Sequence, residues 1–197
     1  MATLLYIHGF NSSSSSLKGR LLQQSIQTQT NNIQIVAPDL LFEPAQAIQQ
    51  LQRIIEHTKA GVDITLIGSS LGGYYATYLA EKYAIKAVLV NPAVKPYDLL
   101  SQHLGVQQNI YTGETYTLTH THIDQLLSLE VEPVTLPARY LLMLQTGDEI
   151  LDYRQAVEKY AGSPQIVIEG GDHGFQRFSD YIERILSFAQ RGHLSQV

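Results

Sequence analysis

The sequence contains no cysteine, and none of its hydrophobic runs approaches the length of a membrane span. Without cysteine the chain can form no disulfide, no thiolate metal site and no thiol nucleophile. A membrane-spanning helix needs about 20 consecutive apolar residues, so none is expected. The chain begins with an apolar strand pattern and without the basic and apolar regions of a secretory signal, which predicts a cytoplasmic location.

Clusters of lysine or arginine are also absent, and the formal net charge is -5 at pH 7. Because nucleic-acid-binding proteins carry basic patches, a nucleic-acid partner is not expected. The chain has 197 residues, of which 44% are hydrophobic and 16% are charged. These values are ordinary for one globular domain with a substantial core, so we expect a single domain over residues 1–197.

Strand and helix patterns alternate along most of the chain. Apolar strand patterns cover 3–7, 33–37, 64–67, 85–90, 140–144 and 165–168, and helical patterns cover 17–28, 44–58, 74–83, 153–160 and 178–189. This alternation predicts an α/β fold with a mostly parallel sheet and helices on both faces.

The third strand runs into the pattern G-x-S-x-G at Gly68–Gly72, which makes Ser70 a candidate nucleophile. A serine hydroxyl is a weak nucleophile, so it must lie exposed at a sharp turn where a base can reach its Oγ. The flanking glycines would let the strand and the next helix approach closely. Ser69 lacks glycines at the same offsets. Taken alone the pattern is weak evidence, since a glycine-rich turn without chemistry would look the same.

The first strand ends in a His8-Gly9 turn. Such a turn after an early strand can present a backbone N–H to the negative charge that develops on a substrate carbonyl oxygen. Phe10 would supply one donor of this oxyanion hole, and Leu71, the residue after the candidate nucleophile, would supply the other. Alternatively, Gly9 only turns the chain and His8 is a hydrogen-bonded interior residue.

An acidic loop follows the strand at 140–144. Asp148 is the first acid after the turn and is the candidate for orienting a catalytic histidine. Asp152 is better placed as the N-cap of the next helix, and Glu149 is expected to be solvated.

A histidine lies in the glycine-rich loop after the strand at 165–168. This residue, His173, is the candidate general base for Ser70, because a mobile, partly exposed loop suits that role. Asp172 beside it is expected to be a loop or cap residue. The order Ser70, Asp148, His173 is that of α/β-hydrolases and differs from the order in the two major serine-protease folds.

Two further histidines form the sequence His-Thr-His at His120 and His122. On a strand, these imidazoles would share one face and could hold a metal. No cysteine and no clear third ligand accompany them, so a polar surface segment is favoured and no metal site is expected.

Residues 94–137 break the alternation of strands and helices, and this segment is too long to be an ordinary connection between a strand and a helix. We expect a cap-like insertion over the site, with a helix at 121–129, that shapes an acyl pocket and excludes water. The alternative is a surface excursion that packs at the sheet edge.

Taken together, these motifs resemble those of the YqiA-type esterases, which are small bacterial α/β-hydrolases. The segments that carry the resemblance are His8–Ser13, Gly68–Thr77, Val90–Ala93, Gln145–Glu149 and Glu169–His173. The resemblance spans nearly the whole chain and implies a compact α/β-hydrolase fold with esterase activity on short-chain or acyl thioester substrates. It also implies that Ser70, Asp148 and His173 form the catalytic triad. Asp172 is a departure, since some relatives would carry a neutral polar residue there.

The predicted mechanism is two-step acyl transfer from a small-molecule ester or thioester through Ser70, without a metal or cofactor. Two alternatives remain open at this point. The same fold could catalyse acyl transfer to an acceptor other than water, peptide cleavage or carbon-carbon bond hydrolysis. Alternatively, the chain could be a binding module without catalysis.

Overall fold

A computed structural model describes residues 2–28, 33–58 and 62–190. The strands are β1 (Ala2–Ile7), β2 (Ile33–Val36), β3 (Asp63–Ser69), β4 (Lys86–Val90), β5 (Gly105–Gln108), β6 (Thr115–Leu118), β7 (Tyr140–Gln145) and β8 (Gln165–Ile168). The α-helices are α1 (Leu17–Thr28), α2 (Pro44–His57), α3 (Leu71–Tyr83), α4 (Pro96–Leu100), α5 (His120–Leu127), α6 (Tyr153–Lys159) and α7 (Ile182–Gln190).

Six of these strands form one parallel sheet in the order β2-β1-β3-β4-β7-β8. The pairing of β1 with β3 runs in register from Ala2 opposite Asp63 to Ile7 opposite Gly68. Every residue of β4 and β7 is buried, as expected for central strands covered on both faces. The predicted mostly parallel α/β architecture is therefore confirmed.

Two hydrophobic clusters cover the two faces of the sheet. Successive residues of a strand point to opposite faces, and on β4 Leu89 belongs to one cluster while Val88 belongs to the other. The Leu89 side includes Leu51 of α2, whereas the Val88 side includes Leu22 of α1 and Ile185 of α7. Helices therefore pack on both faces, as predicted.

The strand order reverses at β1, because β2 lies on one side of it and β3 on the other. In open α/β sheets, ligands bind at the carboxyl ends of the strands next to such a reversal. Ile7 and Gly68 end a paired stretch at this point. The loops that follow β1 and β3 therefore lie where a ligand site is expected.

The segment at 94–137 contains α4, the antiparallel hairpin β5–β6 and α5. The predicted helix at 121–129 is present at His120–Leu127. The hairpin was not predicted, because its strands are short and largely polar: β5 exposes Val106 to 75%. Only Tyr116 and Leu118 of β6 join the hydrophobic cluster on the α2 side of the sheet.

Two helices begin three or four residues away from the starts that the sequence predicted. Helix α3 begins at Leu71 and not at Tyr74, because it starts directly after the turn at Ser70 despite two glycines in its first turn. A short 3-10 helix at Phe178–Tyr181 precedes α7, where one continuous helix was expected. In the three described ranges, no helix combines the length and hydrophobicity needed to traverse a bilayer.

Candidate active site

Ser70 lies in a strained turn between β3 and α3. Its backbone angles are φ 55° and ψ -122°, which non-glycine residues rarely adopt. Three hydrogen bonds hold this turn: the Ser70 N–H donates to the carbonyl of Val90, and the N–H groups of Gly73 and Ala93 donate to the carbonyl of Ser70. The fold thereby fixes the strained backbone and presents the hydroxyl at the carboxyl end of β3.

Glycines at the turn are required by close backbone contacts. A methyl group on Gly68 would lie 2.3 Å from the carbonyl oxygen of Gly72, and one on Gly72 would lie 2.0 Å from the carbonyl oxygen of Ile7. At Gly9, the added carbon would lie 3.1 Å from Cβ of Ser70. The turn after β1 and the start of α3 therefore approach each other more closely than side chains would permit.

His173 contacts both Ser70 and Asp148. Its Nε2 lies 3.0 Å from Oγ of Ser70, and its Nδ1 lies 2.8 Å and 3.0 Å from the two carboxylate oxygens of Asp148. The Asp148 side chain is only 2% exposed, whereas that of His173 is 24% exposed. The structure thus brings the three predicted residues into one hydrogen-bonded chain that reaches solvent at the histidine.

The surroundings of Asp148 favour its ionised form. Burial raises the pKa of this carboxyl. The hydrogen bond from His173 and those from the backbone N–H groups of Leu151 and Ile150 together lower it by more than burial raises it, so the pKa of Asp148 lies below its usual value. An ionised carboxylate holds Nδ1 of His173 in the protonated tautomer and leaves Nε2 free to accept a proton.

The loop that carries His173 is held by side chains that the sequence analysis did not single out. The Asn91 side-chain amide donates to the carbonyls of Asp172 and His173, and the Gln145 side-chain oxygen accepts from the N–H groups of Asp172 and Gln176. Asn91 directly follows the buried strand β4, and Gln145 is the last residue of the buried strand β7. Polar residues at the carboxyl ends of central strands were the available signal.

Glu149 was expected to be solvated, and this prediction is incomplete. Its side chain is exposed, but its Oε2 accepts the backbone N–H of His173 at 2.9 Å. Asp152 caps α6 as predicted, with its carboxylate accepting the N–H of Arg154. Asp172 accepts a hydrogen bond from the side chain of Gln176, which agrees with the predicted loop role.

Phe10 and Leu71 lie in the two turns that meet at Ser70. Leu71 is the first residue of α3, so its N–H has no partner within the helix. Within the described ranges, neither the N–H of Phe10 nor that of Leu71 is hydrogen-bonded to another group. Both N–H groups are therefore available to a ligand.

His8 is a hydrogen-bonded interior residue, the alternative raised from the sequence. It is 5% exposed, its Nδ1 contacts the carbonyl of Gly9, and its Nε2 contacts the N–H of Leu40. Burial lowers its pKa, and these partners fit a neutral ring that donates from Nδ1 and accepts at Nε2. His8 thus fixes the turn from inside the protein.

His120 and His122 lie on α5, so the strand arrangement considered for a metal is not formed. His122 is buried and not part of a polar surface: its Nδ1 accepts the N–H of Thr119 in a capping box. Across residues 2–28, 33–58 and 62–190, no group of three acidic or histidine side chains is arranged to hold a metal ion.

Two cavities open on Ser70 and His173. One has a volume of about 170 Å³ and is mostly apolar, with Leu99, Leu100 and Leu151 among its walls. The other has a volume of about 300 Å³ and extends along the turn after β1.

The hairpin of the 94–137 segment contacts that same turn. Tyr116 Oη donates to Oδ1 of Asn11 at 2.7 Å, and the Asn109 side-chain amide donates to the carbonyl of Ser12 at 2.9 Å. Residues of α4 in the same segment line the smaller cavity, so two parts of the segment lie near the candidate site.

A model of the uncharacterised protein family UPF0227 matches residues 3–190. The chain belongs to the UPF0227 family. UPF0227 protein ECA1814 of Pectobacterium atrosepticum is 23% identical over 194 residues, which cover 96% of this chain and 99% of the relative. UPF0227 protein YcfP of Salmonella paratyphi A is 24% identical over 199 residues, with 96% and 99% covered. The predicted family resemblance is confirmed.

Solved structures with the same fold include Est1E from Butyrivibrio proteoclasticus, with a TM-score of 0.72 at 15% identity over 95% of this chain and 88% of that one. Mouse alpha/beta hydrolase domain-containing protein 10 has a TM-score of 0.66 at 18% identity, with 94% and 88% covered. At these identities the likeness shows the fold alone. The predicted α/β-hydrolase fold is confirmed.

Proposed function

We propose that this UPF0227 protein is a serine esterase that hydrolyses carboxylic esters or acyl thioesters of small molecules. The observation that carries the proposal is the unbroken hydrogen-bonded chain from Ser70 through His173 to the buried carboxylate of Asp148. Combined with the strained turn at Ser70, this chain is the arrangement that activates a serine hydroxyl for attack on a carbonyl carbon.

The reaction begins with attack by Oγ of Ser70 on the substrate carbonyl carbon while Nε2 of His173 accepts the hydroxyl proton. Asp148 stabilises the resulting imidazolium. The tetrahedral intermediate collapses and expels the alcohol or thiol, which takes the proton from His173. Water, deprotonated by His173, then attacks the acyl-enzyme, releases the acid and restores Ser70.

The negative charge on the carbonyl oxygen is stabilised by the backbone N–H groups of Phe10 and Leu71. The lack of a partner for either group within the described ranges supports this role. A donor of this kind is worth about 3 to 4 kcal/mol in the transition state. Gly9, the residue before Phe10, approaches Ser70 closely, which supports a place for the Phe10 N–H beside the nucleophile.

The segment at 94–137 acts as a cap, and α4 forms one wall of the acyl pocket. Support comes from Leu99 and Leu100, which line the 170 Å³ cavity that opens on Ser70. Ligand pockets for drug-sized molecules usually measure about 300 to 1,000 Å³. The smaller cavity therefore favours short acyl chains.

A fluorophosphonate probe tests the nucleophile whatever the natural substrate. The expected result by intact mass is one label per wild-type chain and none on Ser70→Ala. Ser69→Ala is the matched control: Ser69 is the adjacent serine, buried at the end of β3, and the variant should keep its label. A panel of p-nitrophenyl esters and acyl thioesters of graded length then defines the substrate class.

A folded wild-type protein that remains unlabelled would refute the esterase and favour a binding module. Labelling at Ser70 without hydrolysis of any ester or thioester would also refute it and would point to another reaction on the same fold. Other reactions are a real alternative, because the structurally similar tomato methylketone synthase I, with a TM-score of 0.70 at 12% identity, is named for a different product.

A further inference from the structure

The 300 Å³ cavity beside Ser70 differs in character from the smaller apolar one. Its walls include the apolar side chains Leu17, Ile110 and Tyr111, and Lys18 is the one lysine or arginine among its lining residues. The protein as a whole carries a net charge of -5. Lys18 therefore places a positive charge in the same cavity as the candidate nucleophile.

Lys18 projects from the first turn of α1 toward the loop of His173. Its Nζ donates to the carbonyl of Gly174, the residue after His173, at 2.7 Å. An ammonium group has three N–H donors, so two remain for other partners after this contact. In the part of the chain that the structure describes, Lys18 forms no ion pair at contact distance.

The surroundings of Lys18 favour an anionic ligand. Burial lowers the pKa of Lys18 to about 8, while the charges of Asp172 and Asp148 act in the opposite direction. The ammonium is thus still mostly protonated at pH 7. Because the pKa stays below its usual value, these two carboxylates only partly offset the burial of the ammonium, and an anion in the cavity would offset the remaining cost.

We propose that Lys18 binds a carboxylate carried by the ester substrate in the 300 Å³ cavity, while the uncharged part of the substrate occupies the 170 Å³ cavity. This inference rests on the proposed esterase function. The carbonyl carbon of an ester carries an acyl chain on one side and the leaving group on the other. Each of these two parts can occupy one of the two cavities that open on Ser70 and His173. One cavity is apolar and the other holds Lys18, so the preferred substrate is charged on one side only.

A purely structural role for Lys18 makes a different prediction. If Lys18 only positions the His173 loop through Gly174, its loss lowers kcat by the same factor for every substrate. If Lys18 binds the substrate, its loss raises KM selectively for substrates that carry a carboxylate. Charge-assisted hydrogen bonds contribute enough to make that effect about tenfold or larger.

Matched pairs of esters distinguish the two roles and the side of the ester that is charged. One pair is 3-carboxyphenyl butyrate and its neutral carboxamide analogue, in which the leaving group differs. The other pair is p-nitrophenyl hemisuccinate and its neutral succinamate analogue, in which the acyl group differs. The readout is the ratio of kcat/KM for the charged ester to that for the neutral ester.

The expected result is that Lys18→Met lowers this ratio at least about tenfold in one of the two pairs, mainly through KM, and that Lys18→Arg restores most of it. Arg20→Met is the matched control, because Arg20 is exposed on the same helix and the variant removes the same charge. It should leave the ratio unchanged. An unchanged ratio in Lys18→Met for both pairs, or an equal drop in kcat for charged and neutral esters, overturns the proposal.

Binding to an inactive variant separates this inference from the esterase function. Calorimetry with Ser70→Ala should show tighter binding of the charged ester than of its neutral analogue, and Ser70→Ala/Lys18→Met should lose the difference. That result can be obtained even if the wild-type protein hydrolyses no ester. Equal affinities for the charged and neutral esters in Ser70→Ala would refute the anion site alone.

Discussion

Oε2 of Glu149 accepts the backbone N–H of His173 at 2.9 Å, so the loop after β7 and the loop after β8 are joined by two neighbouring carboxylates. Asp148 contacts the imidazole, whereas Glu149 holds the backbone that carries it. Two contacts from adjacent residues fix both the orientation of the ring and the position of its Cα.

Replacement of Glu149 tests this division of roles. Glu149→Ala should lower kcat about three- to tenfold with little change in KM, because the histidine becomes less well positioned. Glu149→Gln should recover most of the activity, since its amide oxygen can still accept the N–H. Glu169→Gln is the control, because Glu169 is an exposed carboxylate at the start of the loop after β8. Equal losses in both Glu149 variants would indicate that charge, and not position, is the contribution.

Asp148→Asn should lower kcat by about 10³- to 10⁴-fold on p-nitrophenyl esters, because an amide no longer holds Nδ1 of His173 protonated. Steady-state kinetics measures this loss. The companion variant Asp152→Asn removes a carboxylate four residues away that caps α6, and it should keep near-normal kcat. Retention of full activity in Asp148→Asn would exclude Asp148 from the triad.

The stability of the protein should depend on the ionisation of Asp148. Its native pKa is lowered, so the carboxylate contributes stability that is present above the unfolded-state value of about 3.9 and is lost as pH falls through the lower native pKa. Denaturant unfolding from pH 6 to pH 2.5 measures this. The difference in free energy of unfolding between wild type and Asp148→Asn should shrink at the acidic end, and a constant difference would contradict the lowered pKa.

Gly72→Ala should destabilise the protein by more than about 2 kcal/mol, because its methyl group would lie 2.0 Å from the carbonyl oxygen of Ile7 and force α3 away from β1. Denaturant unfolding at pH 7 gives the value. Gly113→Ala is a useful comparison: its φ of 75° is unfavourable for alanine, but nothing lies within 4 Å of the added carbon. That variant should cost only about 1 to 2 kcal/mol. Similar costs in both variants would show that the close approach at Gly72 can relax.

Leu99 should help to set the preferred acyl chain length, because it lines the 170 Å³ cavity. Leu99→Ala enlarges this cavity and should shift the kcat/KM optimum on p-nitrophenyl esters toward longer chains. Leu104→Ala is the control, since Leu104 lies in the same segment and is 37% exposed. An unchanged optimum in Leu99→Ala would place the acyl chain elsewhere.

The strands of the main sheet and the longer helices can be recognised from the sequence alone. Central parallel strands such as β4 and β7 are continuous apolar runs, and the longer helices carry their own periodicity, so these elements need no knowledge of their neighbours. Local patterns also singled out Ser70, Asp148 and His173, because each follows a recognisable strand in a turn with a specific composition.

The side chains that support the site become visible in the packed structure and not in any single segment of the sequence. Asn91, Gln145 and Glu149 reach the His173 loop across 24 to 82 residues of sequence, and Lys18 reaches Gly174 across 156. Such contacts depend on which strands are neighbours in the sheet and where their loops end. The hairpin β5–β6 is a similar case, since its short polar strands acquire a buried face only when Tyr116 and Leu118 pack on the domain. Periodicity is a property of one element, whereas a site is a property of several elements packed together.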